Sequence, residues 1–188
     1  MTKTELRKKY KLLRHNVSEE WVDEKSLTIA NQLLTLNIWD KSFYHLFLTI
    51  VANKEVNTDY ILNILSGKDK NVVISKSNFK SVTLDNYLLT DNTKIKLNHW
   101  NIPEPINGIE IDTSKIDIIF VPLLCCDSQG HRVGYGKGFY DNFLGNCAQK
   151  ARKIGLSLFD IESSIDDIHE KDIALDICVT PSSIYYFK

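Results

Sequence analysis

No apolar run in this 188-residue chain approaches the roughly 20 residues needed to cross a bilayer. The N-terminus, MTKTELRKKYKLLRH, lacks the apolar centre of an export signal and reads as mature sequence. Cysteine is scarce: Cys125, Cys126, Cys147 and Cys178 form neither a CxxC pair nor zinc spacing. The adjacent Cys125 and Cys126, inside an apolar run, read as small core residues in a reducing compartment. A formal net charge of −1 excludes general attraction to nucleic acid or anionic membrane, so any basic site must be local. These absences point to a cytoplasmic protein with neither kind of partner. What remains, 43% hydrophobic and 25% charged residues, is enough to bury the core of a single domain spanning 1–188.

The apolar patterning alternates helix with strand. Thr2 and Glu5 have capping-box spacing and open a helix through about His15. Its cations Lys3, Arg7, Lys11 and Arg14 share one face, with Leu6, Tyr10 and Leu13 on another. Ser18 caps a second helix reaching Leu34. Strands are expected at Ser42–Ile50, Asn71–Ser77, Ser81–Leu89, Thr93–Trp100, Ile116–Cys126, Ala151–Phe159 and within Asp176–Phe187, with helices at Thr58–Leu65 and from Gly138. This order predicts an α/β fold, three-layered and Rossmann-like, with a largely parallel sheet covered on both faces.

Only eight glycines occur, yet three stand at alternate positions in HRVGYGKGFYDNFL (His131–Leu144). The segment follows the most apolar strand, where an open α/β sheet binds its ligands. Unshielded glycine amides and a helix N-terminus make an anion nest, which Arg132 and Lys137 would complete as a phosphate site. Asp141, one turn into the helix, offers an oxygen to magnesium. The spacing is neither a Walker loop nor a dinucleotide fingerprint. From composition alone, a glycine-rich connection with solvated charges competes with phosphate binding.

The longer stretch FVPLLCCDSQGHRVGYGKGFYDNFL resembles the signature of the 5-formyltetrahydrofolate cyclo-ligases, also called 5,10-methenyltetrahydrofolate synthetases. Arg132, Gly134, Gly136, Gly138, Tyr140 and Asp141 fall in register with it, and Val133 replaces the usual leucine. KTELRKKYKLLRHNVSEE, KEVNTDYI, NIPEP and DIALDICVTP resemble further family segments. VVISKSNF departs from the usual proline-arginine pair, leaving Lys76 as the substitute cation.

The resemblance implies ATP-dependent closure of 5-formyltetrahydrofolate, with or without a polyglutamate tail, by a monomer using Mg2+. It implies that Arg132 and Lys137 serve the transferred phosphoryl group. Lys3, Arg7, Gly134, Gly136, Gly138 and Tyr140 would hold the nucleotide, and Asp141 and Asp176 the metal. Glu55 would accept from the pterin, Ile50 (or Leu48) would give apolar contact, and Tyr135, Phe139, Trp100 and Glu104 would line the folate cavity. Without the resemblance, Lys3 and Arg7 read as a solvated face, Asp141 and Asp176 as turn or cap residues, and Glu55 as an exposed loop residue. Trp100 and Glu104 read equally as structural. DIESSIDDIHEKD reads as a solvated acidic face, and His99, His131 and His169 are too dispersed for a metal site. A non-catalytic phosphate-binding module and a sugar-phosphate or acyl-CoA isomerase or transferase are the competing classes.

Overall fold

In the computed structural model, residues 1–187 are described. Helix α1 (Lys3–Asn16) begins at the capping box: the Thr2 hydroxyl accepts from the Glu5 N–H, and the Glu5 carboxylate accepts from the Thr2 N–H at 2.8 Å. The Ser18 hydroxyl accepts from the Trp21 N–H and starts α2 (Glu19–Leu34). The chain continues through β1 (Phe43–His45), α3 (Asp59–Gly67), β2 (Asn71–Asn78), β3 (Thr83–Leu88), β4 (Ile95–Leu97), β5 (Pro103–Pro105) and β6 (Ile109–Glu110). It ends with β7 (Ile118–Pro122), β8 (Cys125–Cys126), β9 (Arg132–Val133), α4 (Phe139–Asn146), β10 (Arg152–Leu156), β11 (Ile177–Val179) and β12 (Ile184–Tyr186).

The main sheet has eight strands in the order β12-β11-β10-β7-β1-β2-β3-β6. The strands from β11 to β2 run parallel, and β12, β3 and β6 are antiparallel additions at the edges. Strand alternation builds a core on each face. Ile118 and Phe120 join Val22, Ile29 and Leu33 of α2 and Ile61 and Leu65 of α3, while Ile119 and Val121 join Phe143 and Leu144 of α4. Burial of each such large side chain contributes about 1.5–3 kcal/mol. Helix α1 packs elsewhere: Leu6 and Tyr10 meet Leu124, Cys125 and Val133. It therefore lies against the β8–β9 hairpin rather than on a sheet face.

Several expected strands are shorter than their apolar runs. Ser42–Ile50 contributes only Phe43–His45 to the ladder. Ile116–Cys126 breaks after Pro122, which cannot donate to a continuing ladder, and its cysteines enter the separate β8–β9 hairpin. Thr93–Trp100 supplies only β4, paired with β5 outside the main sheet. The C-terminal segment forms two strands, an antiparallel hairpin of β11 and β12. Leu13, expected with Leu6 and Tyr10 in the core, is 36% exposed; Arg14 takes the third buried place on that stripe.

The strand order positions the site. From β1 the chain adds β2 on one side and β7, β10 and β11 on the other. Such a reversal opens a crevice beyond the carboxyl ends of the strands. The loop between β9 and α4 and one side of α1 face that crevice.

Candidate active site

The crevice encloses a cavity of about 390 Å3, the size of a small-molecule site. His45, Phe47, Pro122, Ser75 and Ser77 form the sheet-end floor. One end is cationic. Gly136 has φ 89°, and an added Cβ would lie 3.2 Å from the Arg7 guanidinium, so glycine answers both a backbone and a space requirement there. Arg7 Nε donates to the Gly134 carbonyl at 3.0 Å, tying α1 to the loop. Gly138, at φ 77°, is the N-cap of α4. Lys137 is exposed at the cavity wall and makes no ion pair among the described residues.

Arg132 is 8% exposed and donates to Asp141 Oδ1 at 2.6 Å and to the Ile173 carbonyl. Burial works against its positive charge, and Asp141 and Asp172 oppose that effect. Lys3 pairs with Asp172. Burial raises the Asp172 carboxyl, but Lys3, the His169 N–H and Arg132 together outweigh it and hold the group below the usual range. Cations and carboxylates thus alternate along this wall.

The other end is drier. Glu55 is 4% exposed and its Oε2 accepts from the Ile50 N–H at 2.8 Å. Burial raises its carboxyl above the ordinary range, against the Ile50 amide, the Tyr135 hydroxyl and the charge of Arg14. Arg14 donates to Tyr135 Oη at 2.8 Å, which leaves the phenolic hydrogen free for Glu55 or a ligand. Burial pushes the Tyr135 and Tyr140 phenols upward, so both stay neutral. Phe79 and Trp100 pack at 4.1 Å between centroids with their planes tilted by 30°, and Phe139 lies edge-on to Phe79 at 5.1 Å, forming an aromatic rim.

Beneath this end runs a polar relay. His45 Nε2 lies 2.8 Å from Ser75 Oγ, which donates to Asn86 Oδ1 at 2.8 Å, and Asn86 Nδ2 donates to Thr113 Oγ1 at 3.1 Å. Burial pushes the His45 pKa down to about 3, against an opposite pull from the Phe120 backbone, so the ring is neutral.

Two expected site residues stand elsewhere. Asp176 precedes β11 on its amino side, away from the carboxyl ends, where its carboxylate accepts from the Lys153 N–H at 2.6 Å and pairs with Lys153 Nζ at 3.0 Å. Glu104 does not line the cavity; its Oε1 accepts from the Ser77 N–H at 2.9 Å and braces β2. Lys76 is exposed because Ser75 and Ser77, on the opposite side of β2, take the cavity-facing positions. The remaining expected residues, Lys3, Arg7, Ile50, Glu55, Trp100 and the loop from Arg132 to Asp141 other than Val133, all line the cavity. Asp172, His45, Ser75 and Phe79 line it as well, outside the expected set, while Arg14 does not line it but donates to Tyr135, which does. Only Asp172 carried a signal: it stands four residues before Asp176 in DIHEKDIALD, in the stretch read as a solvated face.

The sequence model of the 5-formyltetrahydrofolate cyclo-ligase family matches residues 1–181. The chain belongs to that family. It is 30% identical over 156 residues to the 5-formyltetrahydrofolate cyclo-ligase of Haemophilus influenzae, an alignment covering 79% of each chain. It is 27% identical over 184 residues to a probable 5-formyltetrahydrofolate cyclo-ligase of Schizosaccharomyces pombe, covering 89% of each. The solution structure of Aquifex aeolicus 5,10-methenyltetrahydrofolate synthetase superimposes with a TM-score of 0.82 at 24% identity, over 100% of this chain and 94% of that one, and so shares the fold. The activity is that of an ATP-dependent ligase of folate one-carbon metabolism. This membership sets aside the non-catalytic module and the isomerase or transferase classes. No helix among the described residues is long and apolar enough to cross a membrane.

Proposed function

We propose that the cavity binds ATP at its cationic end and 5-formyltetrahydrofolate at its aromatic end, with the γ-phosphoryl group meeting the formyl oxygen between them. The observation that carries this reading is the polarity of one continuous cavity: Lys3, Arg7, Arg132 and Lys137 on one side, Glu55, Tyr135 and the Phe79–Trp100 rim on the other.

A formamide oxygen is a poor leaving group, and its carbon is a weak electrophile because nitrogen donates into the carbonyl. Transfer of the γ-phosphoryl group breaks its bond to the β-phosphate oxygen and forms a bond to the formyl oxygen. The resulting iminium phosphate is attacked by N10, which loses its proton as the ring closes; the C–O bond then breaks and phosphate leaves with the former formyl oxygen. ADP is the other product. Such a transfer needs alignment and charge neutralisation rather than a protein nucleophile. Lys137 and Arg132 neutralise the transferred group, and the Gly134–Gly138 backbone with Lys3 and Arg7 orients the triphosphate. Glu55 accepts from the amino and ring N–H groups of the pterin, a paired geometry that suits a carboxylate.

Asp141 and Asp172 are the carboxylates that fit Mg2+. They line one wall, and no cluster of three ligating side chains occurs among the described residues. Two carboxylates suit a hard cation that takes its other oxygens from phosphate and water. When bound, Mg2+ supplies charge neutralisation to the phosphate oxygens. An anion on Lys3 and Arg132 frees both aspartates from their present partners.

Mixing the protein with 5-formyltetrahydrofolate and Mg-ATP tests the assignment. The methenyl absorbance band at the violet edge of the visible is expected only with ATP. Its appearance without ATP, or its absence despite ATP binding, contradicts the proposal.

A further inference from the structure

Arg14 lies about three turns beyond Lys3 on α1, and its side chain is 4% exposed. Its guanidinium gathers three separate segments: it donates to Tyr135 Oη at 2.8 Å, to the Leu123 carbonyl at 2.6 Å and to the Asn53 carbonyl at 3.4 Å. Asn53 closes the turn between Ile50 and Glu55, Leu123 follows β7, and Tyr135 belongs to the glycine loop. Asn53 and Tyr135 themselves line the cavity.

Packing alone does not explain the residue. The buried positions before it on the same stripe, Leu6 and Tyr10, are filled by apolar bodies. A buried guanidinium is costly to desolvate, and here Nε has no hydrogen-bond partner among the described residues. A methionine would fill the space at less cost. The charge must therefore act on something, and the acidic group within its influence is Glu55.

We propose that Arg14 is the positioning residue of the folate end, fixing the wall that faces Glu55 and setting a buried positive charge against that carboxylate. The proposal rests on the reading of Glu55 as the pterin acceptor. The other groups facing Glu55 cannot replace the charge. Tyr135 and Tyr140 are neutral, and Lys54, next to it in sequence, turns its Nζ to the His15 and Val17 carbonyls at 3.0 and 2.5 Å. Arg14 is thus the one cation among the described residues that opposes the upward pull of burial on Glu55. A single helix serves both ends of the cavity: Lys3 and Arg7 at the phosphates, Arg14 at the folate.

The test is the pH dependence of KM for each substrate in wild type, Arg14→Met, Arg14→Lys, Glu55→Gln and the Arg14→Met/Glu55→Gln double variant. Arg14→Met is expected to raise KM for 5-formyltetrahydrofolate about tenfold and to move its acid limb up by about one pH unit, with KM for ATP little changed. Arg14→Lys keeps the charge but not the fork, so the acid limb returns towards its wild-type position while KM for the folate stays raised. On the Glu55→Gln background, Arg14→Met no longer alters the pH profile. An acid limb unmoved in folded Arg14→Met, or equal rises in both KM values, overturns the proposal. Should Arg14→Met fail to fold, Arg14→Lys decides: an unchanged KM for the folate overturns it. A normal KM for the folate in Glu55→Gln instead removes the reading of Glu55 beneath it.

Discussion

The two ends of the cavity are built by opposite means. The cationic end, proposed for the phosphates, comes mainly from one continuous stretch, Arg132 to Asp141, with Lys3 and Arg7 added from α1. Its chemistry is backbone amides and exposed or paired cations. The other end, proposed for the folate, is assembled from scattered pieces: Arg14 from α1, the turn before Glu55, His45 at the end of β1, Ser75 from β2 and the Phe79–Trp100 rim. It is drier, and burial is the largest influence on its carboxyl and phenols, with the charge of Arg14 working against it. A local motif suffices to hold phosphates because every nucleotide presents the same groups. Reading a particular heterocycle takes surfaces from several elements at once.

Substitutions that affect one end and spare the other break or sharpen this contrast. The largest effect is expected at Lys137, where loss of one positioned donor to developing charge costs about 3–4 kcal/mol at the transition state. Lys137→Ala is therefore expected to lower kcat about a hundredfold or more, with KM for the folate little changed; near-normal turnover refutes its role. Next comes a paired comparison of the two aspartates. Asp172→Asn is expected to lower kcat about tenfold and to raise the Mg2+ requirement, while Asp176→Asn leaves turnover within about twofold. The reverse order would return the metal role to Asp176.

Glu55 sharpens the contrast through pH. Its carboxyl is raised in the folded protein, so the buried carboxylate lowers stability at neutral pH, and that loss is relieved as pH falls through the folded pKa. Folate affinity should follow the ionised form and fall on the acid side at a higher pH than an ordinary glutamate would set. Glu55→Gln is expected to raise KM for the folate, leave KM for ATP unchanged and abolish the acid limb of the folate profile. A wild-type acid limb in this variant contradicts the assignment. The smallest effect belongs to Trp100, 59% exposed at the rim. Trp100→Ala should raise KM for the folate about threefold to tenfold, in proportion to lost stacking, with turnover kept.

The same contrast explains what the sequence disclosed. The capping box at Thr2, the cap at Ser18 and the glycine loop are local codes in which spacing alone fixes geometry, and each lies in the structure where spacing located it. Asp172 and Asp176 could not be told apart by spacing. Only the pairing of β11 with β10 shows that Asp176 meets Lys153 on the amino side, while Asp172 meets Lys3 at the cavity. Arg14 shares a charge pattern with its cationic neighbours because such a pattern ignores depth, and Leu123 and Tyr135, which hold its guanidinium, are distant in sequence. The His45–Ser75–Asn86 relay joins three strands and leaves no trace in any one segment.

The account depends on phosphate leaving with the oxygen that the formyl group brought. 5-Formyltetrahydrofolate carrying 18O in that group, converted with unlabelled Mg-ATP in ordinary water and followed by mass spectrometry, reads this directly. One 18O atom is predicted in each inorganic phosphate released. Unlabelled phosphate accompanying labelled water would contradict the account.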